Sequence, residues 1–86
     1  MTDITDLRGL GPQSKVMLRS IGVNSVEQFM ASDVFALYVR LKSSNQSTSL
    51  NLLYAMIGAQ ENRNWQEIKR ERRLEVLLRL EALGIV

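Results

Sequence analysis

The spacing of two glycines near the start of the chain is the strongest indication of binding chemistry in this sequence. Gly9 and Gly11 bracket Leu10, and Pro12 follows directly. Glycine adopts backbone angles, and tolerates close approaches, that a Cβ would obstruct, and proline suits the first turn of a helix. We therefore predict a tight bend in which Leu10 fills the space between two short helices and the second helix begins with free backbone N–H groups.

A helix that begins in this way attracts anions, because its unpaired N–H groups and its dipole both favour negative charge. The pattern is that of a helix-hairpin-helix, in which the anion is a DNA phosphate that is bound without reading the sequence. DNA-binding versions usually have alanine where Lys15 stands, so a structural or protein-binding hairpin remains an alternative. The candidate phosphate-binding residues are Arg8, Gly9, Gly11, Gln13, Ser14, Lys15 and Arg19.

A second basic cluster lies in the last third of the chain and consists of Lys69, Arg70, Arg72 and Arg73. Cations near the start of a helix interact unfavourably with its dipole, which is one reason to consider a patch that binds phosphate or acidic groups. Glu67, Glu71 and Glu75 lie about one turn away and can pair with these cations, so we favour a solvated face. Trp65 stands among polar residues, and we favour packing against the core over base stacking.

The chain contains neither cysteine nor histidine. Disulfides, thiolate nucleophiles and zinc–thiolate sites are thereby excluded, and the commonest general base and transition-metal ligand is missing. We predict a non-enzymatic protein with no catalytic residues, no cofactor and no metal. Eleven Lys and Arg against nine Asp and Glu give a net charge of +2, which supports only weak, salt-sensitive attraction to nucleic acid.

The chain begins with an acidic, polar stretch, residues 1–6, that does not resemble a signal peptide. No apolar run approaches the ~20 residues that a membrane span needs. We therefore expect a cytoplasmic protein without a membrane partner. The polar stretch 43–48 is too short to separate domains, so we predict a single domain, 1–86.

Glycines and capping residues divide the chain into short segments with helical spacing, and no window alternates convincingly as a strand would. We predict an all-α bundle of five to six helices, with a helix-hairpin-helix-like element over about 3–31 and the remaining bundle over about 33–84. N-caps are expected at Ser25, at Asp33 and at Thr48 or Ser49. Helices are predicted over 3–8, 12–21, 25–31, 33–42, 50–60 and 65–83, the fifth being the most buried because it is apolar nearly all round.

The last predicted helix carries two offset apolar stripes. The first consists of Leu74, Leu77 and Leu78. One stripe can pack on the domain, and the other either widens the core-facing surface or is covered by another chain. The candidates for contact with a protein partner or a second copy in a homodimer are those of the second stripe, Val76, Leu80 and Leu83.

Six stretches of the sequence carry a resemblance to a known family: Leu10–Ser14, Ile21–Val23, Val39–Lys42, Ser49–Met56, Gly58–Ala59 and Asn64–Trp65. Through them nearly the whole chain, 4–83, resembles the C-terminal domain of the TfoX/Sxy family, bacterial proteins linked to the regulation of natural competence. The resemblance implies an all-helical domain with a helix-hairpin-helix-like start, a role in DNA uptake or its gene regulation, and no catalytic residues.

Two departures from the family pattern affect the expected structure. Asn62 stands where the family often has glycine, a change that a left-handed turn tolerates, and Lys69 replaces a frequent proline, so the helix from Trp65 should continue unbroken. The Gly-rich N-terminal domain of full-length members has no counterpart in these 86 residues. We expect a regulatory module that acts by protein–protein interaction in competence or DNA-uptake gene regulation, with non-sequence-specific DNA binding through the hairpin as the alternative.

Overall fold

A computed structural model describes residues 3–44 and 48–84 of the chain. This part contains five α-helices, one 3₁₀ turn and no strand, so the predicted all-α class is confirmed. The 3₁₀ turn is Ile4–Asp6, and the helices are α1 Pro12–Ser20, α2 Val26–Met30, α3 Val34–Ser44, α4 Leu50–Glu61 and α5 Trp65–Ala82. The bounds of α1 to α5 agree with the predicted ones to within two residues at each end.

The predicted first helix is shorter than expected because two aspartates close it into a single turn. The Asp3 carboxylate accepts a hydrogen bond from the Ile4 amide, and the Asp6 carboxylate accepts one from the Asp3 amide, each at 2.9 Å. Leu7 is then extended, with φ −75° and ψ 143°, which ends the turn.

Two of the three predicted caps, those at Ser25 and Asp33, form side-chain hydrogen bonds to the first turn of their helices. Ser25 accepts a hydrogen bond from the Gln28 amide at 3.1 Å, but the Gln28 side chain accepts from Asn24 rather than from Ser25. Asp33 caps α3 through the Phe35 amide. Ser49 occupies the N-cap position of α4 without a side-chain hydrogen bond.

The centre of the molecule is α4, whose residues 53–59 are all buried, as its apolar surface predicts. It packs against α5 and α3, while Leu10 of the hairpin joins the same core. Gln60 near the end of α4 contacts the C-terminal end of α2. Its side-chain amide donates hydrogen bonds to the backbone carbonyls of Phe29 and Ser32, at 2.8 Å each.

The turn between α4 and α5 depends on two residues with special backbone requirements. Asn62 adopts the left-handed conformation at φ 55°, as expected of a position where the family often has glycine. The chain then folds back so closely that the Arg63 amide donates to the Gly58 carbonyl at 2.8 Å. A Cβ on Gly58 would lie 2.5 Å from the Arg63 carbonyl oxygen. Helix α5 continues through Lys69 without interruption, as predicted.

The predicted partner surface of α5 is wrong at two of its three residues, Val76 and Leu80. Val76 and Leu80 are 1% and 0% exposed and belong to the core, so neither can contact a partner on the surface. They continue a line of residues one turn apart that begins at the buried Ile68 and runs against α4. Leu83 of the same predicted stripe is exposed, as are Leu74 and Leu78 of the other.

Candidate binding surfaces

Only one of the two hairpin glycines is required by the backbone. Gly9 has φ +85°, a backbone conformation in which a residue with a side chain would be strained. Space is not the constraint there, because a Cβ on Gly9 would meet only Ala55, at an ordinary 3.9 Å. Gly11 is extended, with φ −107°, and nothing lies within 4 Å of where its Cβ would be. The bend is closed by the Leu10 amide, which donates to the Leu7 carbonyl at 3.2 Å. The predicted tight bend is therefore present, but it depends on Gly9 and not on Gly11.

The start of α1 keeps free donors, as predicted. Gly11 is its N-cap and offers no side chain, and Pro12 is its first residue. The first backbone bond of the helix runs from the Lys15 amide to the Gly11 carbonyl at 3.1 Å. The amides of Gln13 and Ser14 consequently have no hydrogen-bond partner in the part of the chain that the structure describes.

A cleft of about 340 Å³ separates the hairpin from the start of α4. Of the predicted phosphate-binding residues, it brings together Gly9, Gln13 and Ser14, while Gly11, Arg8, Lys15 and Arg19 do not line it. None of the described residues that line it is charged. The lining residues are Gly9, Gln13, Ser14, Met17, Thr48, Ser49, Asn51, Leu52, Ala55 and Trp65.

Lys15 has a partner within the folded chain. Its ammonium forms an ion pair with Asp3 at 2.8 Å, and both side chains are partly exposed. This hydrogen bond lowers the pKa of Asp3 below its ordinary value. Lys15 therefore joins the start of the chain to α1, a partner that the sequence pattern did not indicate. Arg8 and Arg19 are exposed and have no ion pair with any described residue.

Of the four cations in the second basic cluster, one has an acidic partner in the part of the chain that the structure describes. Arg72 pairs with Glu61 at the end of α4. Lys69, Arg70 and Arg73 are exposed and pair with no acidic group among residues 3–44 and 48–84.

The expected pairing of these cations with acidic residues of the same helix is wrong. Glu67 and Glu71 instead bind Arg63, which precedes the helix, and the hydrogen bond that Arg63 donates to Glu71 raises the pKa of Arg63. Arg63 reaches them because the turn between α4 and α5 folds back closely over Gly58 and brings Arg63 near the start of α5. Glu75 forms no ion pair with the described residues.

The outer face of α5 combines these charges with uncovered leucines. Leu74 and Leu78 are 71% and 56% exposed and lie one turn apart, and the partly exposed Leu77 borders them. We call Leu74, Leu77 and Leu78 the outer stripe. With about 100° of rotation per residue, Arg70 and Arg73 fall on one side of Leu74 and Leu78, the side that Leu77 also occupies, and Glu75 falls on the other side.

A short hairpin with a left-handed glycine, an almost fully buried fourth helix and a fifth helix that starts at a half-buried tryptophan form the framework of the domain. The family model for the TfoX C-terminal domain matches residues 1–80. The chain belongs to the TfoX C-terminal domain family. The resemblance drawn from the six sequence stretches is confirmed.

A solved structure shares the fold of this TfoX C-terminal domain. It is the crystal structure, in a triclinic form, of an uncharacterized protein from Listeria monocytogenes. The TM-score is 0.84 at 17% sequence identity, and the match covers 96% of this chain and 94% of the other. No curated protein matches the chain. At this identity the likeness supports the fold and carries no information about binding.

Three further features of this TfoX C-terminal domain concern its chemistry. Within residues 3–44 and 48–84 no group of three or more acidic side chains could hold a metal ion, and none of the described helices is both long and apolar enough to cross a membrane. Trp65 packs partly against the core, as favoured from the sequence, and also forms one wall of the cleft. The buried Tyr54 hydroxyl has no hydrogen-bond partner among the described residues.

Proposed function

We propose that this TfoX C-terminal domain is a regulatory protein-binding module in competence or DNA-uptake gene control, and that the outer stripe of α5 is its docking surface. The observation that carries the proposal is the exposure of Leu74 and Leu78, 71% and 56%, one turn apart on a helix that packs on the core through Ile68, Val76 and Leu80 instead. Burying a leucine is worth roughly 1.5–3 kcal/mol. An apolar centre with a charged border is also the usual composition of a protein interface.

Site-specific photo-crosslinking in living cells tests the docking surface directly. A benzophenone amino acid replaces Leu74 in one variant and Met30 in a control, because Met30 is also a partly exposed apolar residue, 46%, but lies on α2. We expect protein adducts from position 74 that resist nuclease, and none from position 30. Equal adducts at the two positions, or none at position 74, would contradict the proposal.

The regulatory part of the proposal needs a separate measurement. Cells whose only copy of the gene encodes Leu74→Ser with Leu78→Ser should lose regulation of competence-gene transcripts, whereas Met30→Ser should preserve it. Circular dichroism of the purified variants checks that the helices remain folded. Unchanged transcripts in the double variant would separate docking from regulation and remove the regulatory claim.

The second candidate function is non-sequence-specific DNA binding by the hairpin. It is favoured by the amides of Gln13 and Ser14, which have no hydrogen-bond partner among the described residues. Arg8, before α1, and Arg19, in its last turn, are exposed and form no ion pair with a described residue. Backbone amides at a helix N-terminus are suited to a phosphate oxygen. We expect such binding to be weak and to fall steeply with salt, because few phosphates would be neutralised and the net charge is only +2.

Gly11→Asp is the sharpest test of this second candidate. A carboxylate at the N-cap of α1 bonds to the free amides and stabilises the helix, while it occupies the anion position. The variant should be at least as stable as the wild type and should not bind duplex DNA at low salt. Lys15→Glu is a poorer test because it would place a carboxylate beside Asp3. Wild-type affinity in Gly11→Asp would exclude the hairpin amides as the DNA contact.

A further inference from the structure

We infer that the occupant of the outer stripe is a second copy of this chain, with the two α5 helices paired in parallel. The inference rests on the proposed function of the stripe and specifies its partner. It is carried by the arrangement of charge on α5. Leu74 and Leu78 have basic residues on one side and an acidic residue, Glu75, on the other. A surface of this kind complements itself under one relative orientation only.

Parallel pairing places unlike charges together. In two parallel helices that meet along an apolar seam, the residue on one side of the seam contacts the residue five positions later on the opposite side of the other helix. Arg70 of each copy would therefore lie next to Glu75 of the other copy, twice by symmetry. Antiparallel pairing would instead bring the two Arg70–Arg73 sides together, which is repulsive. The charges thus select the parallel arrangement.

The two groups that would form these contacts are available in the single chain. Arg70 and Glu75 are exposed, and neither has an ion pair with a described residue. Glu71, one turn before Leu74, is already bound by Arg63. Arg70 and Glu75 thus lie across the seam from each other without an ion pair to a described residue, with Leu74 and Leu78 as the apolar layers between.

The seam is short, so the dimer should be weak and reversible. Glu71 precedes Leu74 by three residues and Glu81 follows Leu78 by three, so both ends of the seam would place carboxylates of the two copies near each other. Two leucine layers bury far less than the roughly 800 Å² per partner of a stable interface. Association therefore has to be measured across a wide concentration range.

Charge exchange tests the pairing by sedimentation equilibrium of the whole chain at low salt. Arg70→Glu alone and Glu75→Arg alone should each weaken association by roughly tenfold, since two attractive pairs become repulsive. The double variant should recover it, and a mixture of the two single variants should form a heterodimer. Lys69→Glu is the matched control, because it makes the same charge change on the same helix without facing the seam.

Three outcomes would overturn the inference: a strict monomer at every concentration, equal weakening by Lys69→Glu, or no recovery in the double variant and the mixture. Circular dichroism spectra of the four variants distinguish loss of pairing from loss of folding. All substituted side chains are exposed and make no ion pair among the described residues.

The orientation can be read from disulfides, because the chain has no cysteine of its own. Under mild oxidation Leu78→Cys should cross-link to itself rapidly if the helices are parallel. In an antiparallel pair, Leu74→Cys mixed with Leu78→Cys would give the mixed disulfide preferentially. Predominance of the mixed species would overturn the parallel arrangement.

The photo-crosslink at position 74 separates the failure of this inference from the failure of the proposed function. An adduct of twice the mass of the chain supports both. Adducts with other proteins alone would overturn self-pairing and leave the docking function standing. The absence of any protein adduct would remove the docking function, and the inference with it.

Discussion

Gly9 and Gly11 are two positions apart in the hairpin and have opposite backbone requirements, which makes them a matched pair for experiment. Gly9→Ala should destabilise the domain by about 1–2 kcal/mol, because it forces a side chain into the left-handed region. Gly11→Ser should stabilise it by some tenths of a kcal/mol, since it supplies the missing N-cap hydroxyl. Urea unfolding at equilibrium measures both. A similar loss in the two variants would contradict the backbone assignment of the hairpin.

The Asp3–Lys15 ion pair predicts a dependence on pH at the scale of one residue. The pKa of Asp3 is lowered chiefly by the hydrogen bond from Lys15, so the folded state binds this proton less readily than the unfolded state. Its contribution to stability is therefore present above the ordinary value of 3.8 and is lost as the pH falls through the lowered pKa.

Asp3→Asn isolates this contribution, because the amide oxygen can still cap the 3₁₀ turn while the charge is removed. The difference in melting temperature between wild type and variant should be small at pH 7, since the pair is exposed, and should vanish well below pH 3.8. A difference that persists unchanged in acid would show that the cap, and not the charge, is responsible.

At the scale of the element, the close return of the chain over α4 makes Gly58 irreplaceable. A Cβ there would lie 2.5 Å from a backbone oxygen, and backbone atoms cannot move aside as a flexible side chain can. Gly58→Ala should cost about 1–3 kcal/mol in thermal or urea unfolding. Asn62→Gly in the same turn is the control and should be tolerated, because glycine adopts φ 55° readily.

The helices also show which parts of the structure were predictable. Local patterns located α1 to α5 well, since glycines, caps and apolar spacing act within a few residues. The choice between the two stripes of α5 failed because it depends on what packs against the helix. The line of positions from Ile68 through Val76 to Leu80 was a usable indication, because it continues an apolar face back to the start of α5, whereas Leu74 is preceded one turn earlier by Arg70 and Glu71.

The candidate binding residues were also predictable only in part. The hairpin amides and glycines could be placed from spacing alone. The partners of the cations could not, because Asp3 and Arg63 reach Lys15 and Glu71 through tertiary folding and not through helical spacing.

For the whole molecule, the two faces of α5 predict a clean separation of stability from association. Leu80→Ala should cost about 2–5 kcal/mol, because the side chain is fully buried. Leu74→Ser should change the unfolding free energy by no more than about 0.5 kcal/mol and should abolish self-association. Unfolding and sedimentation of both variants test this. Strong destabilisation by Leu74→Ser would show that the outer stripe is covered in the folded chain.

The same reasoning predicts that the apolar contact between two α5 helices can be extended by one layer. Glu81 stands one turn beyond Leu78, where two copies would repel each other. Glu81→Leu should tighten association, because it replaces a repulsion by a third apolar layer. Glu27→Leu, an exposed acidic residue on α2, is the control and should leave the affinity unchanged.

The connection between α3 and α4 is anchored from both ends by the residues that flank it. Thr48 is buried, its hydroxyl donates to the Leu41 carbonyl at 3.3 Å, and its own carbonyl accepts from Lys42 at 2.9 Å. Each helix end is thus fixed independently of the chain that joins them, and doubling the length of such a connection costs only about 0.6 kcal/mol. A fluorescent protein could therefore be inserted between 44 and 48 to follow the domain in living cells.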